Sequence, residues 1–113
     1  MTTDQELQAK IAALRTSFTA GLTARFAELD TAVAAIRPGV PLSGQSTPIK
    51  TILEQAHKIA GSAGTFGYSE MSAIASQAEM LCERILKNRH GGDDGALSEL
   101  RGKIAGIRAG LKS

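Results

Sequence analysis

Apolar residues return every three or four positions almost from end to end of this chain, and that spacing dictates helices. Leu7, Ile11, Leu14, Phe18, Leu22, Phe26, Leu29, Val33 and Ile36 form the first series, with the period of a single helix face. Thr3 and Glu6 have the spacing of a capping box at its start, and Pro38 with Gly39 stops it. The series outruns an ordinary globular helix. Weak helix formers collect between Thr16 and Gly21, so a bend or break is expected there. Residues 37–46, RPGVPLSGQS, read as a loop. Thr47 before Pro48 opens a second helix, because proline is tolerated at the first helical position. Its apolar side carries Ile49, Ile52, Leu53, Ala56, Ile59, Ala60 and Ala63, and it runs out between Thr65 and Gly67. Ser69 is the candidate N-cap of a third helix with the stripe Met71, Ile74, Ala78, Leu81 and Ile85. A turn, NRHGGDDG at 88–95, leads to a last helix with Leu97, Leu100, Ile104, Ile107 and Leu111 on one face.

Four amphipathic segments with short connections predict an all-α, antiparallel up-and-down four-helix bundle, with a long N-terminal helix open to a break. The 113 residues fit one domain, 1–113, with one modest core. Aromatics make up 4% of the chain and tryptophan is absent, so the core is aliphatic and favours helix on helix over a sheet. Phe66 and Tyr68 are placed to close one end of the bundle. In the last helix Gly102, Gly106 and Gly110 recur every fourth residue. They mark either a tolerated weak helix or a smooth face for a close partner helix.

Charge excludes several functions. The net charge is +2, with acids and bases interleaved throughout, so no basic face forms for nucleic acid. No apolar run is long enough for a membrane span. The polar start MTTDQELQAK is unlike a signal peptide, so a cytoplasmic protein is expected. The single cysteine, Cys82, excludes an internal disulfide and reads as a core residue. His90, Asp93 and Asp94 share a turn, but no second cluster completes a metal site; Asp93 or Asp94 is expected to cap the last helix. No glycine-rich nucleotide signature is present, so the chain is not expected to phosphorylate itself.

His57 is the residue with chemistry to offer. On a wheel stepping about 100° per residue it falls at the edge of the apolar face, beside Lys50, Leu53, Glu54, Gly61 and Gly64. Glycine inside a helix is unfavourable and needs a reason. Gly61 and Gly64, one and two turns on, leave bare backbone beside the imidazole, with room for a phosphoryl group or another protein. A neutral imidazole is a nucleophile near neutral pH. One nitrogen attacks while the other donates its hydrogen to an acceptor, which fixes the tautomer. Glu79, at the edge of the third helix's stripe, is the candidate acceptor, because an antiparallel hairpin brings that edge beside His57.

The stretch His57 to Gly67, HKIAGSAGTFG, resembles the signature of histidine-containing phosphotransfer (HPt) domains, including the phosphoacceptor domain of chemotaxis kinases. The matching positions are His57, Ile59, Gly61, Ser62, Phe66 and Gly67. The resemblance implies that His57 accepts a phosphoryl group on a ring nitrogen and exchanges it with an aspartate of a response-regulator receiver domain. It implies that Glu79 orients the histidine and that Gly61 leaves room for the phosphate. A sensor or hybrid histidine kinase is the implied source. No cofactor is expected on this chain, since the magnesium ion of the reaction belongs to the receiver. The usual lysine three residues after the histidine is Ala60 here; Lys50 and Arg84 are the candidates to support the phosphate in its place. Leu53, Ala60, Gly61 and Gly64 are the expected docking surface. Met1 and the compact span suggest a free-standing monomer. The alternatives are a docking module without chemistry and the phosphoacceptor domain of a larger histidine kinase.

Overall fold

The computed structural model describes residues 3–111. Helix α1 spans Thr3–Ala35, α2 Ser46–Ala63, α3 Ser69–Leu86 and α4 Asp93–Gly110. Short 3-10 turns at Leu42–Gly44 and Gly64–Phe66 complete the regular structure. Among the described residues there is no strand.

Cross-helix contacts fix the topology. Arg15 reaches the Phe66 carbonyl, whereas Arg25 reaches Gln55, so α1 and α2 run in opposite directions. Ser72 donates to the Ala60 carbonyl while Glu79 meets His57, which makes α2 and α3 antiparallel. Ile74 faces Gly106 and Met71 faces Gly110, which does the same for α3 and α4. Arg108 closes the ring, bonding Asp30 at 2.7 Å and lying 5.2 Å from the centre of the Phe26 ring. The expected up-and-down bundle is the observed fold.

Its core is the predicted aliphatic one. Leu22, Leu29, Ile49, Ile52, Ile59, Met71, Leu81, Ile85, Leu100 and Ile107 are fully buried, and Cys82 sits among them. Burial pushes the Cys82 thiol up to about 12, helped by the nearby carboxylates of Glu79 and Glu83. Phe18 stacks on Phe66 at 5.0 Å and lies 5.9 Å from Tyr68, closing one end as expected. Gly106 and Gly110 turn toward α3. A Cβ at Gly110 would stand 3.1 Å from the Cβ of Met71, and one at Gly106 would stand 3.4 Å from Ile74. These two glycines let the helices approach; Gly102 faces open space. A four-residue step overshoots a full turn by about 40°, which carries the later glycines round to the α3 side.

Several expectations need correction. The first helix is unbroken through Thr16–Gly21. The Thr16 hydroxyl donates to the Ala12 carbonyl and that of Thr19 to Thr16, so both fold back on the helix rather than compete with it. Cap geometry at Thr3 and Glu6 depends on residues 1–2, outside the described ones. The first half of the apolar series is not in the core: Leu7, Ile11 and Leu14 are exposed. Helix α2 starts at Ser46, ahead of Thr47 and Pro48. Ser69 does not cap α3. Gly67, at φ +87°, reverses the chain, and the Tyr68 carbonyl accepts the first helical bond, from Ser72 N–H. Neither Asp93 nor Asp94 caps α4, whose N-cap is Gly92.

Asp93 instead ties two loops together. One oxygen accepts from His90 Nε2 at 2.6 Å and the other from Leu42 N–H at 3.2 Å. Gln45, buried at 5% exposure, organises the same end. Its Oε1 accepts from Arg37 N–H at 2.7 Å, and its Nε2 donates to the carbonyls of Arg37 and Val40. Replacing Gln45 with Ala orphans these backbone groups and should cost about 2 kcal/mol, read as a lower midpoint in denaturant.

The hydrogen bond from His90 holds the Asp93 carboxyl below its ordinary 3.8; burial opposes this, and the Leu42 N–H and the nearby His90 charge add to the lowering. The lower value belongs to the folded state. The stabilisation is therefore full above pH 4 or so and drains away as pH falls through the folded value. Asp93→Asn should flatten the acid limb of stability against pH, measured by unfolding between about pH 2 and pH 6.

Candidate functional site

His57 stands in the middle of α2 with its side chain 70% exposed. The helix buries the neighbouring face through Ile52, Ala56, Ile59 and Ala63, which leaves the imidazole at the rim between core and solvent. Its Nδ1 lies 2.8 Å from Oε2 of Glu79 on α3. Glu79 is 21% exposed. A carboxylate only accepts, so Nδ1 carries the hydrogen of this bond, and in the neutral ring the lone pair is on Nε2. The nitrogen with nucleophilic character is thus the one turned away from α3.

Close approach of the two helices makes this bond. Ser72 Oγ donates to the Ala60 carbonyl at 2.7 Å, which fastens α3 to the turn of α2 that follows His57. Ser72 was not singled out by sequence reasoning. The available signal was its position two turns before Glu79, on the same face of α3. Gly64 belongs to this seam: a Cβ there would lie 3.6 Å from Ser72 Oγ. Gly61 is different, since a Cβ there would meet nothing within 4 Å. The two glycines that looked equivalent in the sequence have separate surroundings, one beside α3 and one in the open. Leu53 and Ala60 are half-buried against the core edge, so apolar surface borders the imidazole on one side.

The structure does not gather the candidate cations around His57. Lys50 is exposed two turns earlier on the same face, about 10 Å along the axis. In water that separation is worth about 0.4 kcal/mol for two unit charges, before screening. Arg84 lies five residues beyond Glu79, about 140° round α3 and away from the His57 side. Lys58 pairs with Glu54 at 3.2 Å. Among the described residues no group of three or more His, Cys, Asp or Glu side chains is disposed to hold a metal. None of the described helices is long and apolar enough to cross a membrane.

An exposed histidine, oriented through Nδ1 by a carboxylate on the next helix of a bundle, is an arrangement suited to nucleophilic exchange of a small group at Nε2. Comparison with known proteins agrees in kind. The family model of the Hpt domain matches residues 5–110. No curated protein and no solved structure matches significantly. Hpt domains perform histidine phosphotransfer in phosphorelay signalling, working with receiver domains and histidine kinases. Matched over nearly its whole length, the chain belongs to the Hpt domain family.

Proposed function

We propose that the protein is a phosphorelay intermediate that carries a phosphoryl group on Nε2 of His57. The observation that carries this reading is the 2.8 Å bond from His57 Nδ1 to Glu79. It fixes the tautomer that leaves Nε2 as the nucleophile and aims Nε2 outward.

In the forward step Nε2 attacks the phosphorus of a receiver's aspartyl phosphate. The N–P bond forms, the P–O bond to the aspartate breaks, and the aspartate leaves as a carboxylate. Nδ1 keeps its hydrogen throughout. The ring gains positive charge as the N–P bond forms, and the Glu79 carboxylate offsets it. The reverse step passes the group to the aspartate of a second receiver. A sensor or hybrid histidine kinase supplies phosphate on the donor side, and the exchange with these partners takes place in the cytoplasm. Leu53, Ala60 and Gly61 form the apolar rim on which a receiver settles, with Gly64 behind it. The contact is small and transient. Gly61 keeps the space beside the phosphate clear. With Ala60 where lysine is usual and Lys50 and Arg84 distant, the receiver supplies the cations that neutralise the phosphoryl oxygens in transit.

The test is transfer of radiolabelled phosphate from a phosphorylated receiver. Wild type should take up acid-labile, base-stable label, and His57→Gln should take up none. Equal labelling of His57→Gln would sink the proposal. Glu79→Ala should slow transfer about 100-fold, with Glu79→Gln, whose amide oxygen still accepts, falling between. Ala60→Lys should lengthen the life of the phosphohistidine roughly twofold, the size expected of one added exposed charge pair. Loss of label after removal of the receiver measures it.

A further inference from the structure

Among the described residues, three of the four large hydrophobic side chains that stand exposed lie in one row: Leu7 at 56%, Ile11 at 46% and Leu14 at 57%. Every residue from Thr3 to Ser17 is exposed. The bundle ends where Arg15 meets the Phe66 carbonyl and Phe18 stacks on Phe66, and α1 runs on beyond it for about 18 Å. This overhang makes the molecule 62 Å long against a cross-section of 21 × 20 Å. Scattered apolar residues on a surface are ordinary, but a continuous row is not. Leu7, Ile11, Leu14 and Phe18 have the alternating four-three spacing of a coiled-coil seam. The row then continues through Leu22, Phe26 and Leu29, which are buried by the chain's own helices. One face of α1 thus meets the bundle in its second half and water in its first.

We propose that this overhang pairs with the overhang of a second copy, antiparallel, across a twofold axis near Ala9. Sterics select the direction. Each bundle lies on the row side of its own α1. A parallel pair, with axes 8–10 Å apart, would drive two bundles about 20 Å wide into the same space. In the antiparallel arrangement the two bundles lie at opposite ends, and each described overhang stops level with Arg15 of the other, where that bundle begins. Length agrees. When the tip of one overhang, at Thr3, draws level with Arg15 of the other, Leu7 falls opposite Ile11 and Ile11 opposite Leu7. These are the seam positions that pair in an antiparallel coiled coil. Charge agrees as well. The overhang is acidic at its tip, with Asp4, and basic toward its base, with Lys10 and Arg15. In this register Asp4 of each copy falls opposite Leu14 of the other, at the open end of the seam and one residue from Arg15, which can pair with it; parallel pairing would set like against like.

The interface is short, so the dimer is weak. The expected monomer is the species at low concentration. His57 lies near the level of Arg25, which bonds Gln55 across the helices. The two histidines of the dimer are therefore about 45 Å apart, at opposite ends, and both stay open. The inference does not depend on the phosphotransfer reading.

Sedimentation equilibrium of the full chain from about 10 µM to about 1 mM tests it. Wild type should shift from the mass of one chain to that of two. Ile11→Lys should weaken association more than about tenfold. It should leave the thermal transition of the bundle unchanged, because Ile11 is outside the core. Asp4→Lys should weaken the dimer and the double variant Asp4→Lys, Arg15→Glu should restore it. A mixture of Leu7→Cys and Ile11→Cys chains should form disulfide-linked dimers faster than either variant alone. A wild type that remains monomeric throughout, or an Ile11→Lys chain that dimerises as well as wild type, overturns the proposal. So does faster cross-linking in either cysteine variant alone.

Discussion

The distance between α2 and α3 is the constraint on which the site depends. A serine hydroxyl on one helix reaches a backbone carbonyl on the other, from Ser72 to Ala60 at 2.7 Å, and small residues line that contact. Gly64 leaves room for Ser72, and Ala75, one turn along α3, is fully buried. With larger residues at these positions the helices would move apart. Glu79 would then lose its grip on His57. Small residues along one seam therefore do more for the chemistry than any charged residue outside the pair.

The fold was legible because its main determinant is local. The three-to-four period of α2, α3 and α4 names the buried faces almost residue by residue, and Ile49, Ile52, Ile59, Leu81, Ile85, Leu100 and Ile107 all lie inside. In α1 the same signal misled. Periodicity states that a face is apolar but not what covers it, so Leu7, Ile11 and Leu14 read like core while the bundle stops at Phe18. Helix starts were legible only approximately. They depend on which carbonyl accepts the first bond, and loop contacts decide that. Ser69 and Asp93 have good capping side chains, but the caps fall on Tyr68 and Gly92. Gln45 gave no sequence signal, because its three hydrogen bonds serve a loop whose shape no periodicity describes.

At the site, the pairing of His57 with Glu79 was within reach of the sequence. An antiparallel hairpin has one register that satisfies both stripes, and it places the two edges together. Ser72 was not, since a serine near the start of a helix suggests capping before it suggests a cross-link. The difference between Gly61 and Gly64 was equally hidden. On a wheel both are small and adjacent to the histidine, and only the position of α3 separates them. Where the usual lysine is replaced by Ala60, no rearrangement draws Lys50 or Arg84 inward, because helix geometry fixes the direction in which each projects.

The orienting bond uses the ring nitrogen that faces the neighbouring helix, and the residues beneath it, Ala56 and Ile59, are fully buried. A group gained or lost at Nε2 therefore changes no contact inside the bundle. On the proposed function, loaded and empty forms would share one shape, and the carried group would be held as a covalent bond rather than a conformation. A partner must read it by touching the ring itself. Such a carrier would have no built-in sense of direction, and the relative concentrations and phosphate affinities of its partners would set the flow.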